Sequence, residues 1–179
     1  MNRVTISIFA LAGVLAGVGL AQQEVQMPKP GPEHKRLAYF AGHWTSEGEM
    51  KASPFAPAGK FTSTDENEML PGGFFLVMRS SGTSPMGPIH SLAVMGYNSE
   101  EKVYAYDAFS NMGEHEVSKG AIEGATWTWN GESKYQGQVI KGRFVITEVS
   151  PTSYTFTYDF STDGAHWTRV MEGKSTKTM

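Results

Sequence analysis

The feature that most restricts this chain is a series of turn signals along residues 71–164, with alternating polar and apolar residues between them. The signals are Pro71-Gly72-Gly73, Asn98-Ser99, Asn111-Met112-Gly113, Glu123-Gly124, Gln136-Gly137, Ser150-Pro151 and Asp163-Gly164. Each carries residues suited to the backbone of a tight turn. Asp163-Gly164 separates two short aromatic-rich runs and is the strongest hairpin signal of the set. Thr126-Trp127-Thr128-Trp129 and the run from Tyr154 to Phe160 alternate strictly, so each presents one apolar and one polar face. The pattern predicts ten strands, at about 43–51, 59–69, 73–81, 89–97, 102–110, 114–122, 125–133, 138–149, 153–161 and 166–176. Such short connections make sequential strands antiparallel neighbours. An open sheet would leave two exposed edges, and closure removes them. The expected fold is therefore all-β: a closed up-and-down antiparallel barrel of about ten strands, with a two-sheet sandwich as the alternative.

Two segments fall outside the strand pattern. Pro32 to Phe40 (PEHKRLAYF) predicts a short N-terminal helix, with Pro in the first turn, Leu37 and Phe40 on one face, and Gly42 as its stop. Residues 51–59 (KASPFAPAG) contain Pro54 and Pro57, which cannot donate to a ladder, and read as a long loop that could act as a lid.

The N-terminus carries a targeting pattern. Arg3 precedes an uncharged run from Val4 to Leu20, and Gly19 and Ala21 put small residues at −3 and −1 of a cut before Gln22. Residues 1–21 are expected to be a cleaved signal peptide. A membrane anchor is the competing reading, but the run holds three glycines and lacks a basic flank after it. The expected organisation is a signal peptide (1–21), a polar linker (22–31) and one barrel domain (32–179), exported to the periplasm or beyond, with no membrane span after cleavage. The chain has no cysteine, so packing rather than disulfides must hold it together. Its net charge of −3, with both signs mixed along the chain, gives no basic surface for nucleic acid.

Strand pairing guessed from the turns sets the faces. It places Met95 opposite Tyr104, Tyr104 opposite Gly120, Tyr106 opposite Ser118, Gly120 opposite Trp127 and Ser118 opposite Trp129. One face then carries Met95, Tyr104, Tyr106, Trp127 and Trp129, with Gly120 and Ser118 making room between the rings. The same reasoning puts Tyr154, Phe156, Tyr158 and Phe160 opposite Gly173, Met171, Arg169 and Trp167. It brings Arg143 beside Phe160 and Trp129, and Arg169 beside Tyr158. A barrel of more than about eight strands is too wide for side chains to fill completely. The rings either fill the core or line a cavity for a small apolar or amphipathic ligand. The expected cavity lining is Met95, Tyr104, Tyr106, Trp127, Trp129, Arg143, Phe156, Tyr158 and Arg169. The arginines there could receive a ligand carboxylate, or lie at a barrel end with their heads in water.

Two stretches carry a resemblance. Phe40-Ala41-Gly42-His43-Trp44 resembles the Gly-x-Trp opening of lipocalin-like barrels, which implies that Gly42 and Trp44 close one barrel end behind a short helix. More broadly, segments 30–44, 69–76, 96–114, 126–134 and 154–173 resemble the bacterial family known as domain of unknown function 1579, over about residues 27–176. That family implies a fold and no activity. The following Gly-Glu spacing is also similar to nitrobindin-like barrels, which carry a haem-binding histidine near the position of His166.

No catalytic constellation is recognisable. The carboxylates Asp65, Glu66, Glu68, Glu114 and Glu116 lack a paired spacing. There is no Gly-x-Ser-x-Gly. His90 and His115 fall in one row with Asp107 diagonal to it, on the face assigned to solvent, where exposed polar side chains are the simpler reading than a metal site. No cofactor is expected. Three functions stay open: a lipocalin-like binding protein, an enzyme using the same cavity (haem-dependent or isomerase-like), and a ligand-free structural protein of the envelope. The sequence leaves the oligomeric state open.

Overall fold

The computed structural model describes residues 27–178; the expected signal peptide and the first half of the linker lie outside them. A five-residue helix α1 (Pro32–Arg36) runs into one 3-10 turn (Leu37–Phe40). Ten strands follow: β1 (Gly42–Met50), β2 (Gly59–Met69), β3 (Phe75–Ser84), β4 (Gly87–Asn98), β5 (Val103–Ser110), β6 (His115–Glu123), β7 (Thr126–Tyr135), β8 (Gln138–Ser150), β9 (Ser153–Ser161) and β10 (Thr168–Thr178). Every strand pairs antiparallel with its sequence neighbour, and β1 pairs with β10, which closes the barrel. The sandwich alternative is thereby excluded. No helix among the described residues is long and apolar enough to cross a membrane.

The up-and-down order sorts the connections into two ends. The loops after β2, β4, β6 and β8, together with the helical segment, lie at one end. The 51–58 loop and the turns after β3, β5, β7 and β9 lie at the other. Alternation along each strand decides what faces inward. In β2 the odd positions from Phe61 to Met69 are half-buried or buried, while the even positions are exposed.

Several pairings differ from those expected, and the size of the shift decides the consequence. Met95 pairs with Tyr106 rather than Tyr104, and Gly120 with Trp129 rather than Trp127. These shifts are by two residues, because four residues join β4 to β5 and the two-residue β6–β7 turn is Gly124-Ala125, one position later than Glu123-Gly124. In the first, Asn98 Oδ1 accepts the N–H groups of Glu100 and Glu101. An even shift leaves each ring on its expected face. The β7–β8 pairing differs by one. The tight Gln136-Gly137 turn sets Asn130 opposite Arg143 and Trp129 opposite Phe144, which turns Arg143 to the outer face.

Candidate functional site

One end of the barrel is plugged by aromatic rings. Gly42 leaves the 3-10 turn with φ +112°, a conformation that favours glycine. This aims the chain so that Trp44, two residues on, points inward and is 1% exposed. The Trp44 indole N–H donates to the Phe40 carbonyl at 2.8 Å, and Asn67 Nδ2 donates to the same oxygen at 3.0 Å. Trp44 packs on Tyr154, with ring centroids 5.0 Å apart, and Phe40 on Trp127 at 4.9 Å. The helical segment is fastened over this plug. Glu148 accepts from both Arg36 and the Trp127 indole at 2.7 Å, and the Tyr104 hydroxyl donates to the Glu33 carbonyl. Tyr104 and Trp127 thus belong to the plug and are absent from the cavity wall, which corrects their expected placement.

The other half of the barrel is hollow. A cavity of about 920 Å³ opens at the end opposite the helix. That lies within the size of small-molecule sites, roughly 300–1,000 Å³. Of the residues expected to line it, Met95, Tyr106, Trp129, Phe156 and Tyr158 do so. Phe55, from the 51–58 loop, reaches across the mouth and meets the rings of Tyr135 and Phe160, each at 5.0 Å between centroids. The proline-rich loop thus sits over the opening.

Gly120 does not make room in this cavity. Trp129 lies flat on it: a Cβ at position 120 would stand 2.5 Å from the indole ring. The glycine is a seat for the ring, and the space lies beyond it.

A polar patch interrupts the apolar wall. Asp65 on β2 is 7% exposed and lines the cavity. Burial pushes its carboxyl above the usual range, while hydrogen bonds from Ser80 and Ser46 act in the opposite direction. Ser46 Oγ and Ser175 Oγ are 3.0 Å apart. Burial also pushes the Tyr154 hydroxyl up to about 12, and drives the Tyr106 hydroxyl higher still. Among the described residues no lysine or arginine makes a salt bridge with Asp65; Lys177, in the same row, holds its ammonium over the Trp44 ring, 5.3 Å from the centroid. Nearer the mouth, Glu116 accepts from the Ser118 hydroxyl at 2.7 Å. The sequence reading gave Asp65 no pocket context. The signal was present in the alternation of β2, which puts Asp65 on the face of Phe61 and Met69.

Arg143 and Arg169 are not on the cavity wall. They stand on the outer face and hold Asp159 between them, at 3.1 Å for Arg143 and 2.5 Å for Arg169. The Arg143 head also lies 4.3 Å over the ring of Trp167. A bulge between Arg169 and Met171 turned Arg169 outward, so neither arginine can receive a ligand inside the barrel. Burial raises the Asp159 carboxyl, but hydrogen bonds from Arg169 and Arg143 outweigh it and hold the group below its ordinary value. A depressed carboxyl adds stability above the unfolded-state value, and that stability fades as pH falls through the lower folded value. Asp159→Asn is therefore expected to cost about 1–2 kcal/mol at pH 7, a buried-pair loss discounted because both arginine heads are more than a third exposed. In urea unfolding, the gap between variant and parent should close as the pH falls below about 4.

The histidines lie elsewhere. His166 is 92% exposed in the β9–β10 turn, with Nδ1 2.7 Å from Asp163, so it offers no ligand to the cavity. His90 bonds Ser81 and stands outside the row formed by Phe109 and His115, and His115 bonds Asp107 on the outer face. His115 is the one histidine that touches the cavity, at its rim.

A family model described as "Protein of unknown function (DUF1579)" matches residues 29–177. No curated protein matches the chain. Among solved structures, Rv2717c from M. tuberculosis is similar with a TM-score of 0.57 and 10% identity, over 83% of this chain and 99% of that one. The S-type phycobiliprotein lyase CPES from Guillardia theta is similar with a TM-score of 0.56 and 10% identity, over 82% of this chain and 93% of that one. At such identity the likeness is one of fold alone, the barrel.

Proposed function

The chain belongs to the DUF1579 family of proteins of unknown function, and from that premise we propose that it is an exported binding protein that holds a small amphipathic molecule inside its barrel. The observation that carries the reading is the division of the interior. One end is packed with buried rings, and the rest is left as a cavity of about 920 Å³ behind a loop that lies across its mouth. A core selected only for stability would fill that volume, since each void forfeits packing energy. The wall combines rings, which supply affinity, with the buried Asp65 patch, which would fix orientation. The sequence of residues 1–21 supports export.

Mass spectrometry of protein isolated from its own cells tests both parts. The denatured mass should correspond to a chain starting at Gln22, allowing for pyroglutamate, and the native spectrum should carry a small-molecule adduct. A full-length chain in the membrane fraction would overturn export. A native spectrum of bare chain alone would count against a resident ligand.

A further inference from the structure

We infer that the molecule held in this barrel carries a cationic nitrogen on an apolar body, and that Asp65 is the residue that reads it. The inference rests on the binding reading above and specifies the chemistry of that same site.

The argument starts from charge and burial. A carboxylate removed from water needs a partner of opposite sign or a full set of donors. Asp65 has the Ser80 and Ser46 hydroxyls, and no lysine or arginine salt bridge includes it among the described residues. Arg79, on the neighbouring strand, pairs with Glu68, and Arg143 and Arg169 are committed to Asp159 on the outer face. A buried carboxylate kept without a cation is a standing cost to the barrel, and asparagine would fit the same two serines without it.

The surroundings suit a cation. Tyr106 and Tyr154, whose hydroxyls feel the charge of Asp65, line the same cavity. Ring faces attract a desolvated cation, and a carboxylate beside them adds a point charge. The charges around the opening have the same bias. Glu114, Glu116 and Glu132 reach the cavity, against Lys134 and His115. The field along the entry path therefore favours a positive guest and opposes a carboxylate. This is opposite in charge to the ligand carboxylate that an inward-facing arginine could have received.

The test uses three probes that share one fluorophore: dansylcadaverine (an amine), dansyl amide (neutral) and dansylglycine (a carboxylate). Each is titrated into the full-length mature protein at pH 7 and read by dansyl emission and quenching of tryptophan fluorescence. Dansylcadaverine is expected to bind at least about tenfold more tightly than dansylglycine, as expected of a desolvated charge pair. In Asp65→Asn that preference should vanish, while dansyl amide keeps its affinity within about twofold, which also reports that the variant's cavity is intact. The comparison within the parent protein stands even if the variant does not fold. Equal binding of all three probes, or preference for dansylglycine, would overturn the inference and leave the binding reading standing. Retention of the amine preference in Asp65→Asn would remove Asp65 from the role. Failure of all three probes to bind would overturn the inference and the binding reading together.

Discussion

Trp44→Ala should be the most damaging single substitution in this barrel, lowering stability by about 3–5 kcal/mol. Trp44 is 1% exposed, and its ring is held by Tyr154, by Tyr39 and by a hydrogen bond to Phe40. Truncation removes one of the two tryptophans of the plug and also leaves the Phe40 carbonyl with Asn67 alone. The helix sits directly on that plug, so the cavity left behind cannot collapse without lifting Phe40 and Leu37 out of the core. For a domain of this size the melting temperature should fall by on the order of 10 °C. Thermal unfolding followed by circular dichroism checks this, and an unchanged midpoint would mean that the plug does not carry the fold. Trp44→Phe, which keeps most of the ring, should lose less than half as much.

Gly120→Leu should also destabilise strongly, and for a different reason. Trp129 covers Gly120 so closely that even a methyl group would meet the ring at 2.5 Å. A leucine must push Trp129 into the cavity and away from Tyr106, 5.8 Å from it between centroids. Overpacking of this kind costs about 1–3 kcal/mol, and here a strand pair must also shift. Were Gly120 making room between the rings, as the pairing guessed from the turns implies, the same substitution would block a ligand and spare the fold. The difference follows from a two-residue shift in pairing: opposite Trp127, Gly120 would face open space, but opposite Trp129 it is a seat. The measurement is the urea midpoint together with near-ultraviolet circular dichroism, which should lose the signal of a fixed Trp129.

The barrel was legible because its evidence is local. Turn residues such as Asp163-Gly164, and alternation such as Tyr154 to Phe160, act within a few residues and name strands directly. Closure followed from strand number and short connections. What stayed hidden depends on register, which a single residue can reverse. Arg143 and Arg169 were expected inside because one turn was miscounted and one bulge unforeseen. In both cases the neighbouring apolar positions held a clue. Ile140, Phe144 and Ile146 claim the inner face of β8 and leave Arg143 outside. Met171 claims the inner face of β10 in the same way. The split between plug and cavity was illegible for another reason. Tyr104 and Tyr106 share a face and a strand, and only the helix, docking on one end, makes the first a wall of the plug and the second a wall of the cavity. Asp65 was readable from β2 alternation, but a charged residue on an inner face runs against the usual expectation that such residues sit in water.

The central claim is that the open half of the barrel is a binding volume, and one paired titration tests it most directly. Ser63 faces the cavity beside Gly82 on β3, so a tryptophan at 63 could lie over Gly82 as Trp129 lies over Gly120. Ser63→Trp is thus expected to fold and to fill the volume. Dansyl amide, titrated into parent and variant, should bind the parent saturably with blue-shifted emission and should lose at least about tenfold in affinity in Ser63→Trp, a loss of roughly 1.4 kcal/mol or more, at an unchanged melting temperature. Absence of binding to the parent, or equal binding to a folded Ser63→Trp, would contradict the account.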